Sequence, residues 1–495
     1  MSNSTLTAGP AAHNPYLEGG YAPVDRETTA IDLDVTGRIP DHLDGRYLRN
    51  GPNALGSADP AHYHLFLGPG MVHGLRLRDG RAQWYRNRWV RSADVSRRLG
   101  ETWPGGARGG FDFGANTNVI GHAGRTLALA ETGVRPYELT DELDTVGGSD
   151  FCGTLFTGYT AHPKRDPATG ELHAVSYNPM RGNLVQYTVT GADGRVRRTV
   201  DIPLRAQTMM HDFSLTEKYV ILYDLPVVLD LSTAIGSRPA AAAARWLSRF
   251  VARHRAPDFV LRAAMRGTER GGAPSVGSFP YRWAPERRAQ IGVLPRDGKP
   301  EDIRWFEVSS CYVFHPLNAY DEADGAGDRI VLDVVRHESV FAAEAEFTDA
   351  RTLDRWTVDL AGGLVREERL DDTAQEFPRV DERLVGRRHR YGYAVGYAPG
   401  TPGITTPQTI LRHDLCARTT RAVDFGPGRE PGEFVFVPSG PDAAEDDGVV
   451  MGFVYDHAAD RSDLVLLDAQ TLDTVATVHV PVRVPHGFHG NWVDS

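Results

Sequence analysis

Apolar and polar residues alternate along much of this chain, in short runs closed by turn residues. LHAVSYN is followed by RGNLVQYTVTGADGRVRRTVDI, then by KYVILYDLPVVLDL, DRIVLDVVRH and DRWTVDLAGGLVREERL. Period two is the mark of a strand, whose successive side chains point to opposite faces. Gly191-Ala192-Asp193-Gly194 separates two such runs and Ala361-Gly362-Gly363 two more, so both read as hairpins. Near the end, DDGVVMGFVYDH and DLVLLDAQTLDTVATVHV predict two or three further strands. Many strands in series, without intervening helices, predict an all-β protein and point to four-stranded units arranged as a β-propeller. No strict repeat motif recurs, so the number of blades is not readable from the pattern.

One segment departs from this pattern. Residues 232–270 are rich in alanine and carry eight arginines against Asp258 and Glu269. Trp246, Leu247, Phe250 and Val251 form an apolar cluster within it, and Phe259, Val260 and Leu261 follow Pro257. The composition predicts a helical insertion. A basic amphipathic stretch with aromatic residues fits a helix lying on a membrane surface. It equally fits a helix packed on the strands with its arginines in water.

Composition narrows the picture. At 495 residues the chain is long for one two-layer domain, yet no linker divides it. We expect a disordered stretch over 1–14 and a single β-propeller domain over 15–495. The net charge of −11 argues against general nucleic-acid binding. Three cysteines with no CxxC make a disulfide framework a poor fit and suit a reducing cytoplasm. The first residues lack the basic and apolar regions of a signal peptide, and no run of about 18 apolar residues is present. The expected location is therefore cytoplasmic, with peripheral contact at a membrane surface through 232–270.

Candidate chemistry comes from the histidines. Most of the 18 read as surface, turn or satisfied core residues. Four stand in distinctive settings: His162 in TAHPKRDPATGEL, His211 in MMHDFSLTEKY, His315 in CYVFHPLNAYDE and His489 in VPHGFHGNW. They are separated by 49, 104 and 174 residues, with no helical metal-binding spacing such as HExxH. A propeller could still unite them, because its inner strands converge on one axis. Glu131 in LALAETG, Glu376 in AQEFPRV and Glu433 in GEFVFVP lie in apolar runs, where an unpaired carboxylate is costly. Each could orient a ligating imidazole through its second nitrogen. Each could instead pair with a nearby arginine, such as Arg379 for Glu376.

These settings together resemble the carotenoid cleavage oxygenase family. The resemblance extends over nearly the whole chain, through GRIPDHLDGRYLRNGPN, MVHGLRLRDGRAQWYRNRWVRS, NTNVI, GGLVREERLDDTAQEFPRV and AEDDGVVMGFVYD. It implies a seven-bladed β-propeller, about 65–70 residues per blade, with short helical insertions capping the tunnel face. It also implies one Fe(2+) per subunit on His162, His211, His315 and His489. Glu131, Glu376 and Glu433 would then hold His211, His315 and His489, leaving His162 without a carboxylate. In VPHGFHG the resemblance selects His489 over His486, and it places Thr117 beside the O2 position. The implied partners are O2 and an apolar polyene, and the implied reaction is cleavage of a C=C bond into two carbonyl products. A stilbene-cleaving branch shares the metal site but typically carries a lysine just before the first glutamate, where this chain has Ala130. That favours a carotenoid or apocarotenoid over a hydroxystilbene. A propeller that binds apocarotenoids without cleaving them is the alternative from another class. Iron content would separate it from an enzyme.

Overall fold

The computed structural model describes residues 14–60, 63–107, 114–230, 280–323, 328–342, 351–398 and 406–495. The 232–270 segment and residues 1–13 lie outside them, so those two readings rest on sequence alone. Asn14, the last residue of the N-terminal stretch, is buried, and its amide donates to the carbonyls of Pro60 and Tyr63.

Seven antiparallel sheets form the blades of a β-propeller, and five of them have four strands, four as simple meanders and the one led by Phe213–Leu215 interrupted in sequence by the separate pair Val227–Leu229 and Tyr281–Trp283. Their leading strands are Asn118–His122, Lys164–Arg165, Phe213–Leu215, Pro316–Ala323 and Gln375–Arg379. The other two sheets close the ring by exchanging the chain termini. The C-terminal strand Gly490–Asp494 pairs with Gly45–Pro52 in the first sheet, and Val35–Gly37 pairs with Thr474–His479 in the last. Opening the ring therefore requires breaking two ladders.

Both hairpins read from the sequence are present. Leu184–Thr190 pairs with Val196–Pro203, and Arg351–Asp359 with Leu364–Asp371. Their turns need a left-handed residue, supplied by Gly194 at φ +75° and Gly363 at φ +72°. Strict alternation survives best on strands near a blade's outer edge such as Thr474–His479, which have one wet face. Strands between neighbouring blades are covered on both faces, and Leu172–Tyr177 and Gly45–Pro52 are buried throughout. The largest apolar cluster lies between such blades, around Tyr187, Phe213, Tyr312 and Trp356. Ala93–Leu99 is the one α-helix among the described residues, capped by the Ser92 side chain. No helix among the described residues is long and apolar enough to cross a membrane.

Candidate metal centre

The leading strands all begin at the same end of the propeller, and the candidate residues stand at those beginnings. His162, His211 and His315 come just before Lys164–Arg165, Phe213–Leu215 and Pro316–Ala323, and His489 directly precedes Gly490–Asp494. Residues far apart in sequence thereby share one end of one axis.

Backbone contacts fix their heights. The amide of His489 donates to the carbonyl of Thr117 at 3.0 Å, and the amide of Asn50 to the carbonyl of His489 at 3.0 Å. The Asn118 amide holds the carbonyl of Ala161, next to His162, at 2.7 Å. The Tyr312 hydroxyl donates to the carbonyl of Met209, two residues before His211, at 2.9 Å.

The four imidazoles converge. Each offers a nitrogen within 4.8 Å of the other three, and all four residues are buried. The Nε2 atoms of His211 and His315 face each other at 3.1 Å. The Nε2 of His162 is buried with no hydrogen-bond partner among the described residues. A buried polar atom without a partner is costly unless something absent from the protein chain satisfies it.

Carboxylates stand behind three of the rings. Nδ1 of His211 lies 2.5 Å from Glu131 Oε1, Nδ1 of His315 lies 2.6 Å from Glu376 Oε2, and Nδ1 of His489 lies 3.0 Å from Glu433 Oε1. Among the described residues His162 has no such contact through Nδ1, although its Nε2 comes to 3.6 Å from Glu131. Each carboxylate has further partners. Tyr177 donates its hydroxyl to Glu131 Oε2 at 2.7 Å, His337 Nε2 meets Glu376 Oε1 at 2.8 Å, and the Gly490 amide donates to Glu433 Oε2 at 2.8 Å. Arg379 is paired with Glu382 at 2.9 Å and lies 3.5 Å from Glu433, so the arginine partner considered for Glu376 serves Glu433 instead.

Burial and charge set the protonation. Burial, then the neighbouring imidazoles, hold the His162 pKa well below the ordinary histidine value. Burial also lowers His315 despite the opposing pull of Glu376. For His211 burial again lowers the pKa, but Glu131 outweighs it and leaves the value raised. Burial opposes ionisation of Glu376, yet His315 and His337 keep its carboxyl well below the usual range. Three carboxylates against one arginine leave an excess of two negative charges around the imidazoles, which a dication would balance. The donor set, the unpartnered His162 Nε2 and the charge fit a divalent transition metal.

The backbone is strained at one support. Phe377, directly after Glu376, sits at φ +53°, where a ladder irregularity interrupts Gln375–Arg379. A bulky residue pays for that conformation. The strain places the Phe377 ring on His315, stacked at 5.3 Å between centroids.

Comparison with known proteins agrees with this geometry. Residues 21–494 match the model of the retinal pigment epithelial membrane protein family. The carotenoid cleavage oxygenase of Mycobacterium tuberculosis is 51% identical, over 99% of this chain and 100% of that protein. The chain belongs to the carotenoid cleavage oxygenase family. Among solved members of similar shape, the lignostilbene dioxygenase of Pseudomonas brassicacearum has a TM-score of 0.81 at 26% identity, covering 99% of this chain and 100% of that one. A cobalt-substituted Synechocystis apocarotenoid oxygenase has a TM-score of 0.76 at 27% identity, covering 96% and 98%. A propeller of this family is thus the frame in which the four histidines meet.

Sequence reading missed four contributors. His337 reads as an ordinary core histidine, but it shares Glu376 with His315. Tyr177 carries no local signal and reaches Glu131 from 46 residues away. Lys164 and Asp212 follow His162 and His211 and join in an ion pair of 2.7 Å. Thr117 is buried, its hydroxyl donates to Asn116 Oδ1 at 3.0 Å, and its carbonyl steadies His489.

Proposed function

We propose that this chain is a non-haem iron(II) dioxygenase that cleaves a C=C bond of a carotenoid or apocarotenoid with O2, giving two carbonyl products. The observation that carries this reading is the convergence of four buried imidazoles backed by carboxylates. It occurs in a chain half identical to a protein named a carotenoid cleavage oxygenase. His162, His211, His315 and His489 would hold one ferrous ion, which supplies the centre for activating O2.

The protein's own residues do the rest. Glu131, Glu376 and Glu433 fix the orientation of three rings and strengthen them as donors. Burial keeps His162 and His315 in the neutral form that ligation requires. Phe314, Phe377 and Phe488 offer an apolar wall beside the histidines, which shields the site from water and suits a polyene. Thr117, by resemblance, borders the position of O2. Its replacement by alanine should lower turnover while metal content stays at one per chain.

Ala130 bears on the substrate. It is buried directly before Glu131 and offers no charge or hydrogen bond to a phenol, so a hydroxystilbene would bury its hydroxyl without that partner. The close shape match to a lignostilbene dioxygenase favours the second reading, cleavage of a stilbene. Iron-loaded protein incubated in air with an apocarotenal, a full-length carotenoid and a hydroxystilbene separates the two. Polyene-derived aldehydes identified by mass spectrometry support the first, and their lengths locate the cleaved bond. Aromatic aldehydes from the stilbene alone support the second. Protein that binds the polyene but holds no metal would instead be a carrier. The arginine-rich 232–270 segment, by its composition, is the part we assign to the membrane surface. Loss of co-sedimentation with anionic vesicles when its arginines are neutralised would test that assignment.

A further inference from the structure

The residues that follow each candidate ligand line a cavity of about 670 Å³ on the strand side of the histidine cluster. His162, His315 and His489 form its inner end. Its outer end reaches water at Ala123, Gly124 and the C-terminal Asp494 and Ser495, all exposed. At about 30 Å³ per water, a dication with six waters needs about 200 Å³, so the space admits it still hydrated.

The walls are charged. Lys164, two residues after His162, donates from Nζ to Asp212 Oδ2 at 2.7 Å. The Asp212 side chain is 2% exposed, and the residue stands directly after His211. This ion pair therefore bridges the strand starts of two candidate ligands, just inside the cavity. Asp212 Oδ1 is committed to the amide of Phe213 at 2.7 Å, which leaves Oδ2 as the oxygen the ammonium covers. A cation resting on a buried carboxylate next to two metal-binding histidines occupies the place a passing metal ion would take. On the other side of the cluster stand aromatic rings. Phe66 stacks on Phe488 at 5.5 Å, and Phe314 meets Phe341 at 6.2 Å. A hydrated dication would lose its water there without compensation.

We propose that the metal ion enters and leaves through this polar cavity, that Asp212 is its transient ligand, and that the Lys164 ammonium must swing off Asp212 to let it pass. The inference rests on the reading of the four histidines as a metal site. It assigns the two faces of that site to different cargo: the metal ion by the charged face, the apolar substrate by the aromatic one.

Metal uptake kinetics test it. Metal-stripped full-length protein is mixed anaerobically with Co(2+), and the rise of the bound-cobalt absorption is followed. Lys164→Met should speed uptake about tenfold and Asp212→Asn should slow it about tenfold, as expected when one charge in a narrow passage is changed. Both should still reach one metal per chain. A third measurement needs no variant. Wild-type protein saturated with an apocarotenal, verified by its spectral shift, should take up cobalt at its ordinary rate. Uptake blocked by the apocarotenal, or rates unaltered in both variants, overturns the proposed route. Wild-type protein that takes up no cobalt at all removes the metal reading itself, and the route with it.

Discussion

The two sides of the histidine cluster are built from the same strands and differ completely in chemistry. On one side stand Phe314, Phe377 and Phe488, with Phe314 edge-on to His211 at 5.0 Å and Phe377 at 5.5 Å from His489. On the other side stand Lys164, Asp212, Arg379 and Glu433. The switch takes one or two residues: Phe314 to His315 to Pro316, Phe488 to His489 to Gly490. A strand start in a propeller is thus a natural boundary between an apolar mouth and a wet axis. A metal held at that boundary would face aromatic rings on one side and the charged cavity on the other.

The strongest way to break this arrangement is to remove a ligand at the boundary. His315→Ala should abolish turnover and leave no bound iron by metal analysis, with melting temperature little changed. A His315→Ala protein that keeps full turnover rules out that assignment. Deleting residues 489–495 should do more. It removes His489 and also the strand Gly490–Asp494 that pairs with Gly45–Pro52. The deletion should therefore lose iron and melt well below His489→Ala, which should lose only iron. Equal melting temperatures would mean that the closing strand adds nothing to the scaffold.

A smaller effect separates the supports from the ligands. Glu376→Gln leaves both His315 and His337 without a carboxylate. Metal affinity should fall about 10–100-fold, the usual cost of losing an orienting partner. Glu433→Gln should fall toward the lower end, because the Gly490 amide and Arg379 lose their charge partner but His489 stays pinned through Thr117. A larger loss for Glu433 than for Glu376 would refute that ranking.

How much of this contrast the chain announces depends on distance. The long hairpins were legible because their turns and their alternation lie within about 20 residues. Two of the leading strands were not, since Lys164–Arg165 spans two residues and Phe213–Leu215 three, too few to show a period. The four histidines, which the structure brings together, and the three glutamates behind three of them stand in local settings that carry the resemblance. The partners that hold them were invisible, because Glu376 meets His337 across 39 positions and Lys164 meets Asp212 across 48. Sequence pattern reports which face a residue takes within a strand. It does not report which blades bring two strand starts together.

Acid provides a test of the scaffold that leaves the site aside. His173 and His413 lie away from the histidine cluster, in contact with Tyr187 and with Gln375 and Thr420. Burial, aided by Arg296, lowers His173 to about 4, and burial lowers His413 to about 4. In the unfolded chain both take up a proton near their ordinary value of about 6.5. Between about 6.5 and 4 the unfolded state therefore binds more protons, and stability falls as the pH falls through that window. Metal-stripped protein should melt at a lower temperature at about pH 5 than at about pH 7.5. His413→Gln should reduce that difference, and an unchanged difference would remove His413 from the cause.

The smallest expected effect sharpens the comparison most, because it sits where one carboxylate serves two rings. Glu131 contacts Nδ1 of His211 with Oε1 and accepts the Tyr177 hydroxyl with Oε2. The same Oε1 stands 3.6 Å from His162 Nε2, so a small rotation of the carboxylate would exchange one imidazole for the other. Tyr177 opposes that rotation by holding the far oxygen. Tyr177→Phe removes the hydroxyl and keeps the ring. A hydrogen bond to a charged group contributes about 1.5–3 kcal/mol, yet only the fraction felt at the metal should appear as lost affinity, about threefold to tenfold. The cobalt spectrum should shift as the His211 ring gains freedom, with one metal still bound per chain. An unchanged spectrum and affinity would mean that Glu131 is held by His211 alone and that Tyr177 serves only packing.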